Sequence, residues 1–212
     1  MDFRISEEQT AIIDLARRFS RERVRPRVRE YDREERFPLD LYAELGSLGL
    51  TGGVIPEAYG GAGLDYQTYA LLIMELAETC QVMGAAASWA SGVGGISVLN
   101  FGTEEQKQRY LVPLAKGDGP VAFALTESHT GSDVASMKTR AVRDDDHYVL
   151  NGSKTWISMV GSCKWILTFA TLDAAAARKG ITACPRRPNF DPPCRSNIDP
   201  GMDTDREAVS CG

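Results

Sequence analysis

The first part of the chain is patterned for helices, because its apolar residues recur every three to four positions. Ile12, Leu15 and Phe19 follow this spacing, which places them on one face of an amphipathic helix. Ser6, with Gln9 three residues later, predicts a capping box at the start of that helix. Similar patterns predict further helices at residues 26–31, 39–48, 67–78 and 103–111.

After residue 119 the helical spacing gives way to short runs of β-branched and aromatic residues, which are typical of strands. They occupy residues 121–126, 139–142, 148–151, 155–157 and 165–170. Hairpin turns are predicted at residues 144–146 and 151–152. Helices followed by strands indicate an α+β fold. We predict an all-α helical domain over residues 1–119 and an incomplete antiparallel β domain over residues 120–183.

Residues 184–212 differ from both preceding parts. They hold five of the ten prolines and three of the five cysteines, and they have no periodic apolar face. Such a segment cannot bury enough apolar surface to offset the entropy lost when a chain becomes ordered. We therefore predict a disordered tail.

Residues 79–103 carry no charged side chain, which raises the question of a membrane span. The segment consists mainly of Ala, Gly and Ser, and Gln81 and Asn100 lie inside it. A spanning helix requires about 20 predominantly apolar residues, so a buried core helix is the better interpretation. The N-terminus also lacks the apolar stretch of a signal peptide. We expect no membrane span and a cytoplasmic location.

Charge and cysteine content argue against several classes of protein. The net charge is -5 at pH 7, whereas dedicated nucleic-acid-binding domains are usually basic. The five cysteines form no CxxC pair, and two histidines are too few for a histidine-rich metal site. We expect a soluble globular protein that binds neither nucleic acid nor a structural metal.

Residues 123–133, FALTESHTGSD, are the most informative part of the sequence. An apolar strand there runs into a polar loop that contains glycine, so Thr126, Ser132 and backbone N–H groups can face a ligand together. Residues 151–158, NGSKTWIS, add another hydroxyl and the flat ring of Trp156. The same two segments are also compatible with an ordinary hairpin that contains a satisfied threonine and a core tryptophan.

Short motifs occur around these two segments in order along the chain. They are IPE at 55–57, YGG at 59–61, ELA at 75–77, FG at 101–102, QK at 106–107, YL at 110–111 and KGITA at 179–183. Each motif is weak alone, but the ordered set is specific. From about Ser6 to Ala183 the sequence resembles the acyl-CoA dehydrogenase family.

The resemblance implies a flavoprotein whose cofactor is FAD. By resemblance, the cofactor would be contacted by Phe123, Leu125, Thr126, Gly131, Ser132, Trp156, Ile157 and Ser158. A flavin that accepts a hydride gains negative charge, which hydroxyl and backbone N–H groups stabilise without a mobile charge. Thr126 would hydrogen-bond the ring, and Trp156 would pack on it.

The resemblance also implies that the substrate is an acyl-CoA thioester. Ser132 would lie near the CoA part. Trp89, which stands among small residues, would close the bottom of the acyl pocket or would instead pack outward between helices. The implied reaction is α,β-dehydrogenation in fatty acid metabolism, with FAD as hydride acceptor and an electron-transfer flavoprotein as the next electron carrier.

The polar loop departs from the family's pattern at two positions. Ser128 stands where the family usually has Pro, and Thr130 stands where it has a smaller residue. A β-branched residue is stiffer at χ1 than alanine or glycine, so we expect Thr130 to perturb the loop. His129 is interpreted as an exposed loop histidine rather than an acid or base.

The resemblance stops at Ala183, where CPRRP follows instead of an apolar strand. In the family, the proton-abstracting carboxylate and much of the homo-oligomer interface belong to a C-terminal helical bundle. Glu127 and Asp133 are interpreted as loop-structuring groups, so no catalytic residue is predicted. The sequence predicts a truncated flavoenzyme, through natural truncation or a shifted reading frame. The alternative is a non-catalytic fragment that binds CoA ligands or a partner, or that folds poorly.

Overall fold

A computed structural model describes residues 4–145 and 147–186 and, further along the chain, the strand at 208–210. The chain divides into two compact units, Met1–Pro120 and Val121–Gly212. The first unit is helical and the second contains a β-sheet. The predicted α+β fold class, with helices preceding strands, is therefore confirmed.

Seven α-helices form the described part of the helical unit. They are α1 (Glu7–Phe19), α2 (Val28–Arg33), α3 (Leu39–Ser47), α4 (Tyr66–Thr79), α5 (Gln81–Trp89), α6 (Ile96–Phe101) and α7 (Glu104–Ala115). The predicted capping box starts α1, because Gln9 N donates to Ser6 Oγ at 3.1 Å and Ser6 N donates to Gln9 Oε1 at 2.9 Å. The inner face of α1 buries Ile13, Ala16 and Phe19.

The uncharged segment forms one helical run, in which a π-helical turn at Ala90–Gly95 joins α5 to α6. Within the described ranges, Gln81–Phe101 is long and apolar enough to cross a membrane by length and composition alone. Half of its most apolar window is buried inside the structure. The core helix of a soluble protein meets the same criterion, so the run agrees with the predicted buried helix.

Small residues allow α4 and α5 to approach each other closely. A Cβ atom added to Gly84 would lie 2.7 Å from Ala77 Cβ and 3.0 Å from Ala77 Cα. Both distances are shorter than van der Waals contact, so only glycine fits at this crossing. The alanine-rich and glycine-rich composition of residues 79–103 therefore reflects close helix packing.

The second unit is built on one sheet. Its strands are β1 (Val121–Ala124), β2 (Arg140–Asp144), β3 (His147–Asn151), β4 (Trp165–Thr171), β5 (Ile181–Arg186) and β6 (Ala208–Ser210). The strand order is β1-β4-β2-β3-β6, and β5 pairs with β4. The pairs β2–β3, β4–β5 and β3–β6 are antiparallel, whereas β1–β4 and β2–β4 are parallel.

The sheet is therefore mixed, and the predicted antiparallel β domain is corrected for the pairs that β4 makes with β1 and β2, which are parallel. Parallel neighbours need a long connection that returns the chain to the starting edge. The polar loop and the β2–β3 hairpin supply that connection between β1 and β4. The apolar runs of the sequence indicate where these strands lie along the chain. They do not indicate whether neighbouring strands run parallel or antiparallel.

No strand forms at residues 155–157, where one is predicted. Trp156 has a φ of 60°, and extended backbone requires a negative φ. The predicted turn at Asn151 and Gly152 is not a hairpin either. Gly152 passes so close to Thr139 that a Cβ on it would lie 2.5 Å from Thr139 Oγ1. The chain therefore leaves the sheet after β3, whereas the other predicted hairpin, between β2 and β3, is present.

The predicted start of the tail, at Cys184, is too early by three residues. β5 continues through Cys184 and Pro185 to Arg186, in register with β4. Cys184 is buried in an apolar cluster with side chains of β2, β3 and β4. Pro185 lies opposite Leu167 of β4. Residues 187–207 and 211–212 lie outside the described residues. The predicted disorder of the tail therefore stays a prediction there.

Candidate ligand-binding site

The two segments that the sequence singles out lie side by side in the second unit. Thr155 N donates a hydrogen bond to Thr126 O at 2.9 Å. Lys154 Nζ donates to Leu125 O at 3.0 Å. In β1 itself, the half-buried ring of Phe123 packs tilted against Phe169 of β4, with ring centroids 4.7 Å apart. The structure thus joins the end of β1 to the segment that follows β3.

A buried carboxylate ties the polar loop to the sheet. Glu127, whose side chain is 3% exposed, accepts hydrogen bonds from Lys138 N at 2.8 Å, Thr139 N at 2.9 Å and Lys154 Nζ at 2.9 Å. Burial acts to raise the pKa of Glu127, but the donors outweigh it and lower the pKa to about 2. Glu127 is therefore ionised at neutral pH and has the loop-structuring contacts expected from the sequence.

Lys154 is the site residue that the sequence reasoning missed. Its side chain is 5% exposed, and burial lowers its pKa while Glu127 acts to raise it. Lysines are almost never fully buried unless they are paired, so the motif alone suggests a solvated side chain. The sequence feature that could have indicated a buried Lys154 is the acidic residue Glu127, which directly follows Thr126 in the other segment.

Thr130 closes the polar loop instead of perturbing it. Glu127 N donates to Thr130 O at 2.9 Å, and Thr130 N donates to Glu127 O at 3.2 Å. The Thr130 hydroxyl also donates to Asp133 O, a bond that alanine or glycine could not make. Gly131 and Ser132 lie exposed at the tip of the loop, where a ligand can reach the backbone and the hydroxyl.

Asp133 and His129 also have partners within the loop. Asp133 Oδ2 accepts a hydrogen bond from Ser136 Oγ. His129 is exposed, as the sequence predicts, and its Nε2 lies 3.2 Å from Ser136 O and 3.4 Å from Glu127 Oε2. These contacts organise the loop and give no sign of an acid or base aimed at a ligand.

Residues 156–158 alternate between solvent and core. Trp156 is 87% exposed, although large aromatic side chains are usually buried. Ile157 is buried in an apolar cluster with Ala122, Ala124, Cys163 and Ile166, so only its backbone is free to face a ligand. Ser158 is exposed. Ile157 therefore anchors the segment, and Trp156 and Ser158 are presented on either side of it.

Trp89 belongs to the other unit, where it ends α5 and is half-buried. Its neighbours Ala86, Ala87 and Ala90 are fully buried. This placement leaves open both interpretations of Trp89, as the wall of an acyl pocket or as a residue packed between helices.

Comparison with known proteins decides the family. The model of the acyl-CoA dehydrogenase N-terminal domain matches residues 6–118, and that of the middle domain matches residues 122–188. The chain belongs to the acyl-CoA dehydrogenase family. A short-chain specific acyl-CoA dehydrogenase of Clostridium acetobutylicum is 39% identical over 183 residues, which are 86% of this chain and 48% of the relative.

Solved structures lead to the same family. A structure of the electron transferring flavoprotein of Acidaminococcus fermentans contains a chain with a TM-score of 0.85 and 36% identity, covering 90% of this chain and 50% of that one. A Mycobacterium smegmatis glutaryl-CoA dehydrogenase in complex with FADH2 has a TM-score of 0.79 and 30% identity, covering 87% and 46%. The chain spans about half the length of the curated relatives it matches.

Proposed function

We propose that the β unit binds the ring system of FAD between the polar loop and residues 154–158. The observation that carries the proposal is the indole of Trp156, which is exposed and held at positive φ. Strained backbone of this kind concentrates at active sites and ligand clamps. A flat ring fixed at the surface offers a face on which a planar heterocycle stacks.

Hydrogen-bond donors beside this ring fit the same ligand. The Thr126 N–H has no hydrogen-bond partner among the residues that the structure describes, and the Ser158 hydroxyl is exposed. When bound, FAD would supply the hydride acceptor. Neutral donors that are fixed in advance stabilise negative charge developing on such a ring, while Trp156 would orient it.

For the whole protein we propose α,β-dehydrogenation of a short acyl-CoA thioester, with electrons passed to an electron-transfer flavoprotein. The short-chain specificity of the Clostridium relative supports the substrate class. The similarity to a chain in the Acidaminococcus structure supports the electron carrier. Ser132, exposed at the loop tip, would contact the CoA part, and Trp89 would contact the acyl chain.

We assign removal of the α-proton to a group outside the described residues. A general base must reach the proton that it removes and must be free to accept it. Glu127 is buried and engaged by three donors, and Asp133 is engaged by Ser136. Neither carboxylate meets both conditions, so the described residues would bind and orient a ligand without removing the proton.

Titration of the purified chain with FAD tests the proposal. We expect weak but saturable binding with a shifted flavin absorption spectrum, because an exposed flavin lacks part of the desolvated contacts that give affinity. Trp156→Ala should weaken binding roughly fivefold or more, since aromatic stacking contributes on the order of 1 kcal/mol. Trp156→Phe keeps a ring and is the matched control. Unchanged affinity in Trp156→Ala, or no binding by the unmodified chain, would refute the proposed site.

A further inference from the structure

Lys154 is held by two acceptors of different kinds, a carboxylate and a backbone carbonyl. Its ammonium donates at 2.9 Å to Glu127 Oε1 and at 3.0 Å to the backbone carbonyl of Leu125. The carbonyl bond is not needed to neutralise the lysine, because Glu127 already supplies the opposite charge. The carbonyl bond satisfies a further N–H of the buried ammonium, and it also acts on the backbone beside Thr126.

The peptide bond is planar and trans, so its C=O and N–H point in opposite directions. When Lys154 holds the Leu125 carbonyl, it also fixes the direction of the Thr126 N–H, which points away from the ammonium. The next peptide is fixed on both sides. Thr126 O accepts from Thr155 N at 2.9 Å, and Glu127 N donates to Thr130 O at 2.9 Å.

Thr126 therefore lies between two clamped peptides. Its own N–H is left without a partner inside the described part of the chain. A backbone donor that is rigidly held and unused is suited to an acceptor atom on a bound molecule. It costs little reorganisation when the ligand binds, which is the general advantage of preorganised donors.

We infer that Lys154 is a positioning residue, which aims the Thr126 N–H at an acceptor on the edge of the bound ring. The inference rests on the proposed flavin site and names the part of the fold that gives the site its geometry. Glu127 accepts a second hydrogen bond from the ammonium, and through Lys138 N and Thr139 N it ties the assembly to the start of β2.

Three variants separate positioning from simple structural support. Lys154→Met removes the carbonyl donor and leaves Glu127 buried without its cation. Glu127→Gln/Lys154→Met also removes the donor but leaves no charge buried and unpaired. Glu127→Gln alone keeps Lys154 beside the Leu125 carbonyl. Lys164→Met, at an exposed lysine of the same unit, is the matched control.

Thermal unfolding and FAD affinity should respond differently in this series. We expect Lys154→Met to lose both stability and at least tenfold in FAD affinity. The double variant should regain most of the stability but none of the affinity, because the Leu125 carbonyl still lacks its donor. Glu127→Gln should lose less than threefold in affinity. If affinity returns together with stability in the double variant, Lys154 is only structural and the inference is wrong.

Amide hydrogen exchange measures the clamp without any ligand. In the double variant, exchange at the Thr155 and Glu127 amides should accelerate at least tenfold relative to the amides of β4. Exchange within twofold of the unmodified chain would overturn the inference. If the unmodified chain binds no FAD, the proposed function fails, and these exchange rates alone decide whether Lys154 fixes the Thr126 peptide.

Discussion

At the scale of single residues, the candidate site depends on a carboxylate that stays charged although it is buried. Glu127 retains its charge because two backbone N–H groups and one ammonium converge on it. Bonds between a charged group and its donors are stronger than neutral ones, particularly away from water. The same contacts make Glu127 unsuitable as a base and suitable as an anchor.

The lowered pKa of Glu127 predicts a loss of stability in acid. Its folded pKa of about 2 lies below the ordinary value of 4.5, so its contribution is present above pH 4.5 and is lost as the pH falls toward 2. We expect the free energy of unfolding to drop by about 2 kcal/mol from this group between pH 5 and pH 3. Urea denaturation of the unmodified chain and of Glu127→Gln at several pH values measures the difference.

Asp40 and Asp65 also have a pKa lowered to about 2, so part of the acid sensitivity will remain in the Glu127→Gln variant. The contribution of Glu127 is the difference between the two proteins in the slope of unfolding free energy against pH. Equal slopes for the unmodified chain and the variant would show that Glu127 is already protonated, or is equally stabilised in the unfolded chain.

Individual residues of the site were predictable to different degrees. Trp156 and Thr126 could be proposed from the sequence because an aromatic ring and a hydroxyl follow apolar runs in a recognisable order. The buried Lys154 could not, since a lysine is expected in solvent until its partner is known. Ile157 was predicted to contact the cofactor together with Trp156 and Ser158. The structure places the Ile157 side chain in the core instead, directly after the residue with positive φ, Trp156.

At the scale of elements, the sequence predicts those features whose interacting residues lie close together along the chain. The capping box at Ser6 was predictable because both partners lie within one turn. The π-helical turns at Ser20–Val24 and Ala90–Gly95 were not, because a widened turn depends on packing with distant residues. The mixed sheet was likewise not predictable, since strand direction depends on which strands become neighbours.

The close crossing of α4 and α5 predicts that Gly84→Ala destabilises the helical unit. Alanine has a helix propensity about 1 kcal/mol better than glycine, but its Cβ would lie 2.7 Å from Ala77 Cβ. Overpacking costs typically 1–3 kcal/mol, so we expect a net loss of roughly 1 kcal/mol in urea denaturation.

Gly92→Ala is the matched control for that experiment, because the nearest atom to its added Cβ is Tyr69 Oη at 3.5 Å, an ordinary contact. The double variant Ala77→Gly/Gly84→Ala restores the space at the crossing and should recover part of the stability. A stabilising effect of Gly84→Ala alone would show that α4 and α5 are further apart than described.

At the scale of the whole molecule, the chain carries two units of a family whose curated members are about twice as long. We predict no acyl-CoA dehydrogenase turnover by these 212 residues with a dye acceptor and butyryl-CoA. The reason is that Glu127 and Asp133, the two carboxylates of the polar loop, are already engaged by hydrogen-bond donors. Turnover that disappears in Glu127→Gln or Asp133→Asn would contradict this assignment.

Trp89 supplies a prediction for a longer form of the protein that is active. If its ring closes the acyl pocket, Trp89→Ala should extend the accepted acyl chain by several carbons, each buried CH₂ contributing about 0.8 kcal/mol at most. Relative kcat/KM values for acyl-CoA thioesters of increasing length measure this shift, with Trp89→Phe as the control. An unchanged length preference in folded Trp89→Ala would place the ring between helices instead.

The exposure of Trp156 also gives the protein an optical reporter. The three tryptophans lie in distinct surroundings, since Trp165 is 3% exposed, Trp89 is half-buried and Trp156 is almost fully in water. Indole emission shifts to longer wavelength in water, and collisional quenchers such as iodide reach only the accessible ring. The red edge of the fluorescence spectrum therefore reports mainly on Trp156, and occupancy of the surface beside it can be followed without labelling the protein.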